Sequence, residues 1–233
     1  MKVTVIGYWG GYPGKGEATS CYLFQSKNFN LLVDCGSGAL AALQNFLDPN
    51  SLNAVILSHY HHDHIADIGV LQYYKLVNTV SDKFALPIYG HNFDKAKFSS
   101  LTYKEATKGY EYIPNEVLHL GPFTIRFTKT VHPVDCFAMR IETANHSVVY
   151  TADSSYSEDF VPFSSDADLF ISDCNMYEHQ DGAKVGHMSS KDAATIASKA
   201  NVKELLLSHL PHSGNTKDLK FEAQKYYNGL VHL

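Results

Sequence analysis

Several things are scarce in this chain, and each scarcity narrows what the protein can be. Its four cysteines, Cys21, Cys35, Cys136 and Cys174, lie far apart with no CxxC pair, so nothing suggests a disulfide framework and a reduced, cytoplasmic protein is expected. No apolar run approaches the ~20 residues that cross a bilayer, which argues against a membrane span. The opening MKVTVIGYWG has no basic region followed by an apolar stretch, so no secretory signal is read there. Positive charge is not in excess: the formal net charge is -5. There is then no general pull toward a polyanion, and a nucleic-acid substrate would have to be gripped locally, which speaks against long duplexes as partners. Low-complexity linkers and repeats of ~20 to 50 residues are missing too, so a repeat array is not expected.

What remains is a globular chain of 233 residues, 45% of them hydrophobic, long enough to bury a substantial core. Short β-branched and aromatic runs recur at Lys2 to Ile6, Cys21 to Gln25, Phe29 to Val33, Ala54 to Leu57 and Leu86 to Tyr89, and again at Phe123 to Thr130, Phe137 to Glu142, Ser147 to Thr151, Leu169 to Ser172 and Glu204 to Ser208. They read as strands. Helical patterns fall at Gly38 to Leu47, Asp67 to Val77, Ser189 to Ala200, with Ser189 or Ser190 as N-cap, and Thr216 to Tyr227. Hairpin-like strands give way to strand and helix alternation, and the mix recurs after Gly121. The expectation is an α+β fold, one domain over residues 1–233, built of two similar β-rich halves, each covered on its outer face by helices. Asn145-His146 reads as a tight hairpin turn. Residues 92–118 form the most polar stretch, either a rim over a site or a solvated helix and loop.

Histidine is abundant, at 13 residues, and it is concentrated. The stretch LSHYHHDHIADIG at 57–69 packs four histidines and an aspartate into six positions, straight after an apolar run. Side chains at i and i+2 of an extended chain point the same way, so His59 and His61 can converge on one metal ion. If the chain then turns into a helix, Asp63 and His64 swing toward a neighbouring point, while His62 faces away. Further ligands are expected at other strand ends: His132, Asp153 in VVYTADSS, and His209 in ELLLSHLPH each sit at the carboxyl edge of an apolar run, where loops carry chemistry. Asp153, an anion, can bridge two cations. Imidazole-rich, carboxylate-poor sites suit zinc, with manganese or iron as alternatives.

Together these residues resemble the metallo-β-lactamase superfamily, which implies a four-layer αββα sandwich and a dinuclear site. LLVDCGSG, ending at Gly38, resembles the family's first motif, which makes Asp34 an orienter behind the ligands, and the ligand motifs follow in the family's order. KTVHPVDCFAMRI stands where lactonases and glyoxalase-type thioesterases carry a GHTPGH-like segment, and VGHMSSKDAATIA at 185–197 resembles the GHST-type segment of the ribonuclease Z and small phosphodiesterase branch. That resemblance makes His187 the proton donor. There are departures. Only 20 residues separate His132 from Asp153, with no room for the tRNA-binding arm. Asp67 replaces the glycine of DHxxG, DCNMYEH replaces a HEAT-like segment, and SHLPH lacks a nearby arginine, which leaves His212 and Ser213 as phosphate contacts.

The expected function is a dinuclear metal-dependent phosphodiesterase. His59, His61 and His132 would hold one ion, Asp63, His64 and His209 the other, with Asp153 between them and Asp63 also orienting the nucleophile. Two ions ~3.5 to 4 Å apart share a water that loses its proton near neutral pH, which justifies so many polar groups at a strand end. A compact substrate is expected: a 2′,3′ or 3′,5′ cyclic nucleotide, or a 2′,3′-cyclic phosphate at an RNA end. Tyr8, Trp9, Tyr12 and Tyr22, in or beside the GYWGGYPGKG loop, are either base-stacking platforms or ordinary core and rim aromatics, and Lys15 is either a phosphate contact or a solvated lysine. Rival expectations are a lactone, β-lactam or thioester hydrolase, a tRNA 3′-processing ribonuclease, and a metal-binding scaffold without catalysis. The branch resemblance also implies a homodimer.

Overall fold

In a computed structural model of the chain, residues 1–78 and 85–233 are described. They fall into two compact units, one of Met1–Ile113 with Leu120–Pro122, the other of Pro114–His119 with Phe123–Leu233.

The first unit is built on a six-stranded mixed sheet in chain order: β1 (Lys2–Gly7), β2 (Cys21–Ser26), β3 (Phe29–Val33), β4 (Ala54–Ile56), β5 (Leu86–Gly90) and β6 (Thr107–Glu111). The first three strands are antiparallel neighbours; β3 to β6 run parallel. β2 and β3 are joined by a two-residue turn in which Lys27 takes a φ of 53°, as a twist-matched hairpin requires. All three residues of β4 are buried, the pattern of a parallel strand covered on both faces. Leu23, Leu32, Val55 and Ile88 from the strands share one core with Leu40 and Leu43 of α1 (Ala39–Leu43) and Ile68 and Leu71 of the helix Ile68–Asn78. Two further short helices, His62–Ile65 and Lys95–Ser99, complete the unit; in chain order the three are α2, α3 (Ile68–Asn78) and α4.

The second sheet has seven strands, β7 (Leu118–Leu120), β8 (Phe123–Lys129), β9 (Phe137–Thr143), β10 (His146–Tyr150), β11 (Leu169–Asp173), β12 (Glu204–Ser208) and β13 (Leu230–His232), again neighbours in chain order. β8 to β10 are antiparallel and β10 to β13 parallel. Its helices are α5 (Phe160–Phe163), α6 (Ser190–Lys199) and α7 (Thr216–Ala223). A capping box settles where α6 begins: Ser189 Oγ accepts from Asp192 N at 3.2 Å and Asp192 Oδ2 accepts from Ser189 N at 3.0 Å, so Ser189 and not Ser190 is the cap.

Two mixed sheets flanked by helices thus follow the same plan, hairpins first and parallel strands after. Parallel strands end at the same edge, so the loops after β3, β4 and β5 gather at one edge of the first sheet, and those after β10, β11 and β12 at one edge of the second. Differences from expectation are local. The β9–β10 turn is Ala144-Asn145, because His146 already pairs with Thr143. Residues 92–118 contain α4 and β6, and α7 stops at Ala223. Tyr22 is fully buried in the core of β2, which removes it from the base-stacking candidates.

Candidate metal centre

In the first unit the cluster is organised from behind by Asp34, fully buried in the turn after β3 with a φ of 57°. One carboxylate oxygen, Oδ1, accepts from Ser58 N at 2.8 Å; the other accepts from Ser58 Oγ and from His64 Nδ1, both at 2.8 Å. Ser58 has a single hydroxyl hydrogen, and Asp34 takes it. The contact of 3.1 Å between Ser58 Oγ and His59 Nδ1 must therefore be donated by the imidazole. Both histidines carry their proton on Nδ1, which leaves the lone pair of Nε2 as the ligand electron pair, the arrangement metal-ligating histidines adopt.

The motif's local geometry follows the expected turn. Tyr60, between the two ligand candidates, points the other way into the core and donates its hydroxyl to His91 O. His61 is the N-cap of α2, and the rings of His61 and His64 lie 4.8 and 4.1 Å from that of His59. Asp63 Oδ2 is 3.8 Å from His64 Nε2 and accepts from Gly11 N at 2.8 Å, so the glycine-rich loop fixes its orientation. His62 is exposed. Gly36 permits this packing: a Cβ there would sit 2.0 Å from Asp63 O.

The second unit repeats the device. Asp173, buried at the end of β11, accepts from His187 Nδ1 at 2.8 Å and Ser154 N at 3.0 Å through Oδ2, and from Asn175 N at 3.1 Å through Oδ1. Asp153 Oδ2 lies 3.3 Å from His209 Nε2 and 3.8 Å from His132 Nε2. His132 donates Nδ1–H to Gly186 O at 3.0 Å, so Nε2 again holds the lone pair. Gly186 has a φ of 83°, and a Cβ on it would fall 2.6 Å from His132 Nδ1. The His187 ring stacks on His209 at 4.9 Å and meets His132 edge-on at 5.5 Å. Burial lowers the His132 pKa, outweighing the Asp153 charge. Burial also pulls on His187, but the hydrogen bond and charge of Asp173 prevail and raise it.

The sequence-predicted residues therefore gather as two half-sets, His59, His61, Asp63 and His64 over Asp34 in one unit, and His132, Asp153, His187 and His209 in the other. Imidazole nitrogens of fixed tautomer with two carboxylates form the donor set a divalent transition ion requires, so the residues fit such ions. These are His/Asp clusters of the kind that make a dinuclear metal site. His212 and Ser213 are exposed in the turn between β12 and α7, where Ser213 O accepts from Tyr177. Ser58, Asp173 and Gly186 escaped the sequence reading, although Asp173 ends an apolar strand just as Asp34 follows one. Asp67, the unexpected residue of DHxxG, accepts from Leu40 N at 2.9 Å. It supplies the cap that α1 lacks, because Gly38 at its N-cap position has no side chain to offer. Tyr8 and Trp9 both donate to Glu17 at 2.6 Å, and the Tyr8 phenol is pushed up to about 12 by burial and that carboxylate.

A match to the family model of the metallo-beta-lactamase superfamily runs over residues 14–209, and the chain belongs to that superfamily; with these clusters it is a metallo-hydrolase. Among its relatives is the probable metallo-hydrolase YhfI of Bacillus subtilis (strain 168), 56% identical over 235 residues, covering 100% of this chain and 96% of that protein. The crystal structure of YhfI superposes with a TM-score of 0.97 at 55% identity over 99% of this chain and 94% of that one. Two distant neighbours share the fold alone: human tRNase Z, short form (TM-score 0.77, 19% identity, 100% of this chain and 96% of that one) and a diphosphatase from the PhnP family (0.79, 14%, 99% and 93%). Among the described residues no helix is long and apolar enough to cross a membrane.

Proposed function

We propose that these residues bind a pair of divalent ions, and that the protein hydrolyses a compact phosphodiester such as a 2′,3′ or 3′,5′ cyclic nucleotide or a cyclic-phosphate RNA end. His59, His61 and His132 would hold one ion and Asp63, His64 and His209 the other, with Asp153 available to both. Zinc suits this donor set best, with manganese or iron as alternatives. When bound, such ions acidify a shared water and neutralise charge on the phosphoryl oxygens. The rest is the work of the chain. Asp34 and Ser58 hold His59 and His64 in the ligating tautomer, Gly11 N aims Asp63, and His187 delivers a proton to the departing oxygen.

The observation that carries this reading is the pairing of His187 Nδ1 with buried Asp173 at 2.8 Å. It keeps a proton-bearing imidazole against two ligand histidines, where a leaving alkoxide needs an acid. A thioester hydrolase has less use for it, because a thiolate departs without a proton, whereas a lactone or ester hydrolase would use the same acid. The protein's partners, on this reading, are the small substrate and a second copy of the chain; a homodimer would show as twice the chain mass in sedimentation. Parallel assays on bis-p-nitrophenyl phosphate and a chromogenic lactone or β-lactam, with zinc or manganese supplied, decide between classes. Turnover of only the acyl substrate overturns the proposal. H187A should keep its metal and lose roughly 10²-fold in turnover; near-normal activity removes His187 from the mechanism.

A further inference from the structure

His187 does more than face the ligand histidines. The same side chain lines a cavity of about 300 Å³ whose other walls include Ser155, Glu178, Asp181, Lys191 and Asp192. One imidazole therefore borders both His132 and His209 on one hand and an unassigned cavity on the other. All of these residues belong to the second unit, so the juxtaposition is internal to it.

The cavity's chemistry is one-sided. It presents Glu178, Asp181 and Asp192 with Lys191, and because Lys225 offsets Glu178 and the helix cap engages Asp192, Asp181 is the carboxylate that sets the charge a guest meets. Glu178 is tied to Lys225 at 2.6 Å, Asp192 is committed to the α6 cap, and Lys191 lies over the Tyr226 ring at 5.5 Å. Asp181 spends one oxygen, Oδ1, on Ala183 N at 3.0 Å. Such walls favour a neutral guest rich in hydroxyl or amino donors and repel a second anion. The volume is at the lower bound for a small-ligand site, which runs from roughly 300 Å³ upward.

We propose that this cavity is the leaving-group subsite: it receives an uncharged, hydroxyl-rich alcohol no larger than one nucleoside and rejects an alcohol that carries a further phosphate. The inference rests on the phosphodiester reading and narrows it. A cyclic mononucleotide fits, because its departing oxygen sits on a nucleoside with no other phosphate, whereas a cyclic-phosphate RNA end, whose last nucleoside carries a further phosphate, does not. In the step concerned, water oxygen forms a bond to phosphorus and the bond from phosphorus to the alcohol oxygen breaks. That oxygen leaves with the electron pair and takes the proton of His187 Nε2. His187 regains a proton from the one the water gives up, so one water is consumed and nothing is oxidised. Because the His187 ring lines the cavity and also meets His132 and His209, an alcohol seated there lies beside the same side chain that borders those residues.

The test compares a dinucleoside monophosphate with the same compound bearing a phosphate on its leaving nucleoside, in protein supplied with zinc or manganese. Each variant is read as the ratio of kcat/KM for the two substrates, which cancels any change in overall rate. The wild type should prefer the unphosphorylated compound by about tenfold or more, and D181K should cut that preference by about tenfold, since it turns a repelling charge into an attracting one. A wild-type ratio near one, or a ratio unmoved by D181K, overturns the proposal. Calorimetric titration with adenosine needs no turnover and separates this failure from that of the reaction itself. Adenosine binding that A183W weakens by about tenfold, by filling the cavity, supports the subsite even if no phosphodiester is cleaved; no adenosine binding to the wild type overturns it.

Discussion

Replacing Asp34 by asparagine tests whether a residue that touches no metal sets the metal affinity. The carboxylate accepts three hydrogen bonds, from Ser58 N, Ser58 Oγ and His64 Nδ1. An amide of the same shape keeps one oxygen and turns two N–H groups toward what were donors. If the oxygen stays on Ser58 N, the amide nitrogen opposes His64 Nδ1–H. The imidazole then relieves the conflict by moving its proton to Nε2, the nitrogen that must carry the ligand lone pair. Ser58 loses the acceptor for its hydrogen as well, so the tautomer of His59 is no longer dictated. Loss of an outer partner of this kind costs about 10- to 100-fold in metal affinity. Two histidines lean on the same carboxylate here, so the expected loss is near the upper figure, about 2.7 kcal/mol. The assay is competition against a chelating indicator, with the melting temperature of the metal-free protein as control. Losing a hydrogen bond to a charged group costs about 1.5–3 kcal/mol of stability, a fall of several degrees at roughly 2–4 °C per kcal/mol for a chain of this size. Metal affinity within about threefold of wild type, with only the melting temperature lowered, would refute the tautomer argument and leave Asp34 a purely structural residue.

Four other outcomes are expected. D173N removes the charge that raises the His187 pKa; an acid works only below its pKa, so the alkaline limb of kcat/KM should move to lower pH, and an unmoved limb removes Asp173 as the positioning residue. G186A forces a residue into a φ of 83° with its Cβ 2.6 Å from His132 Nδ1, so metal content and activity should fall together and the melting temperature should drop by a few degrees, about 1–2 kcal/mol coming from the backbone alone. D67A removes the cap on Leu40 N; thermal unfolding should show a loss of about 1 kcal/mol with turnover retained, and abolished turnover would give Asp67 a place in the chemistry. Exhaustive chelation should abolish hydrolysis, and zinc or manganese should restore it; full activity in metal-free protein, verified by elemental analysis, would end the metal mechanism.

What the sequence determined by itself is what lies close along the chain. A strand and its side-chain alternation are properties of four to eight consecutive residues, so the apolar runs before Asp34, His59, Asp153 and His209 are legible one at a time. HxHxDH is likewise local, because a strand end passing into α2 already separates His59 and His61 from Asp63 and His64. The short strands β6, β7 and β13 carry too few apolar side chains to announce themselves and exist because a neighbour offers its edge. Distant pairings were beyond the sequence for the same reason. Asp34 meets Ser58 and His64 only because β3 and β4 run parallel in register, Val33 opposite Ile56. Asp173 meets His187, and Gly186 meets His132, only through the second sheet and the loop before α6, while Asp67 finds α1 across a turn. The candidate ligands were written in residue type and spacing. Which nitrogen carries the proton, and what holds it there, was decided by tertiary structure, because a hydrogen bond needs two groups within about 3 Å and the chain alone does not say which groups will meet.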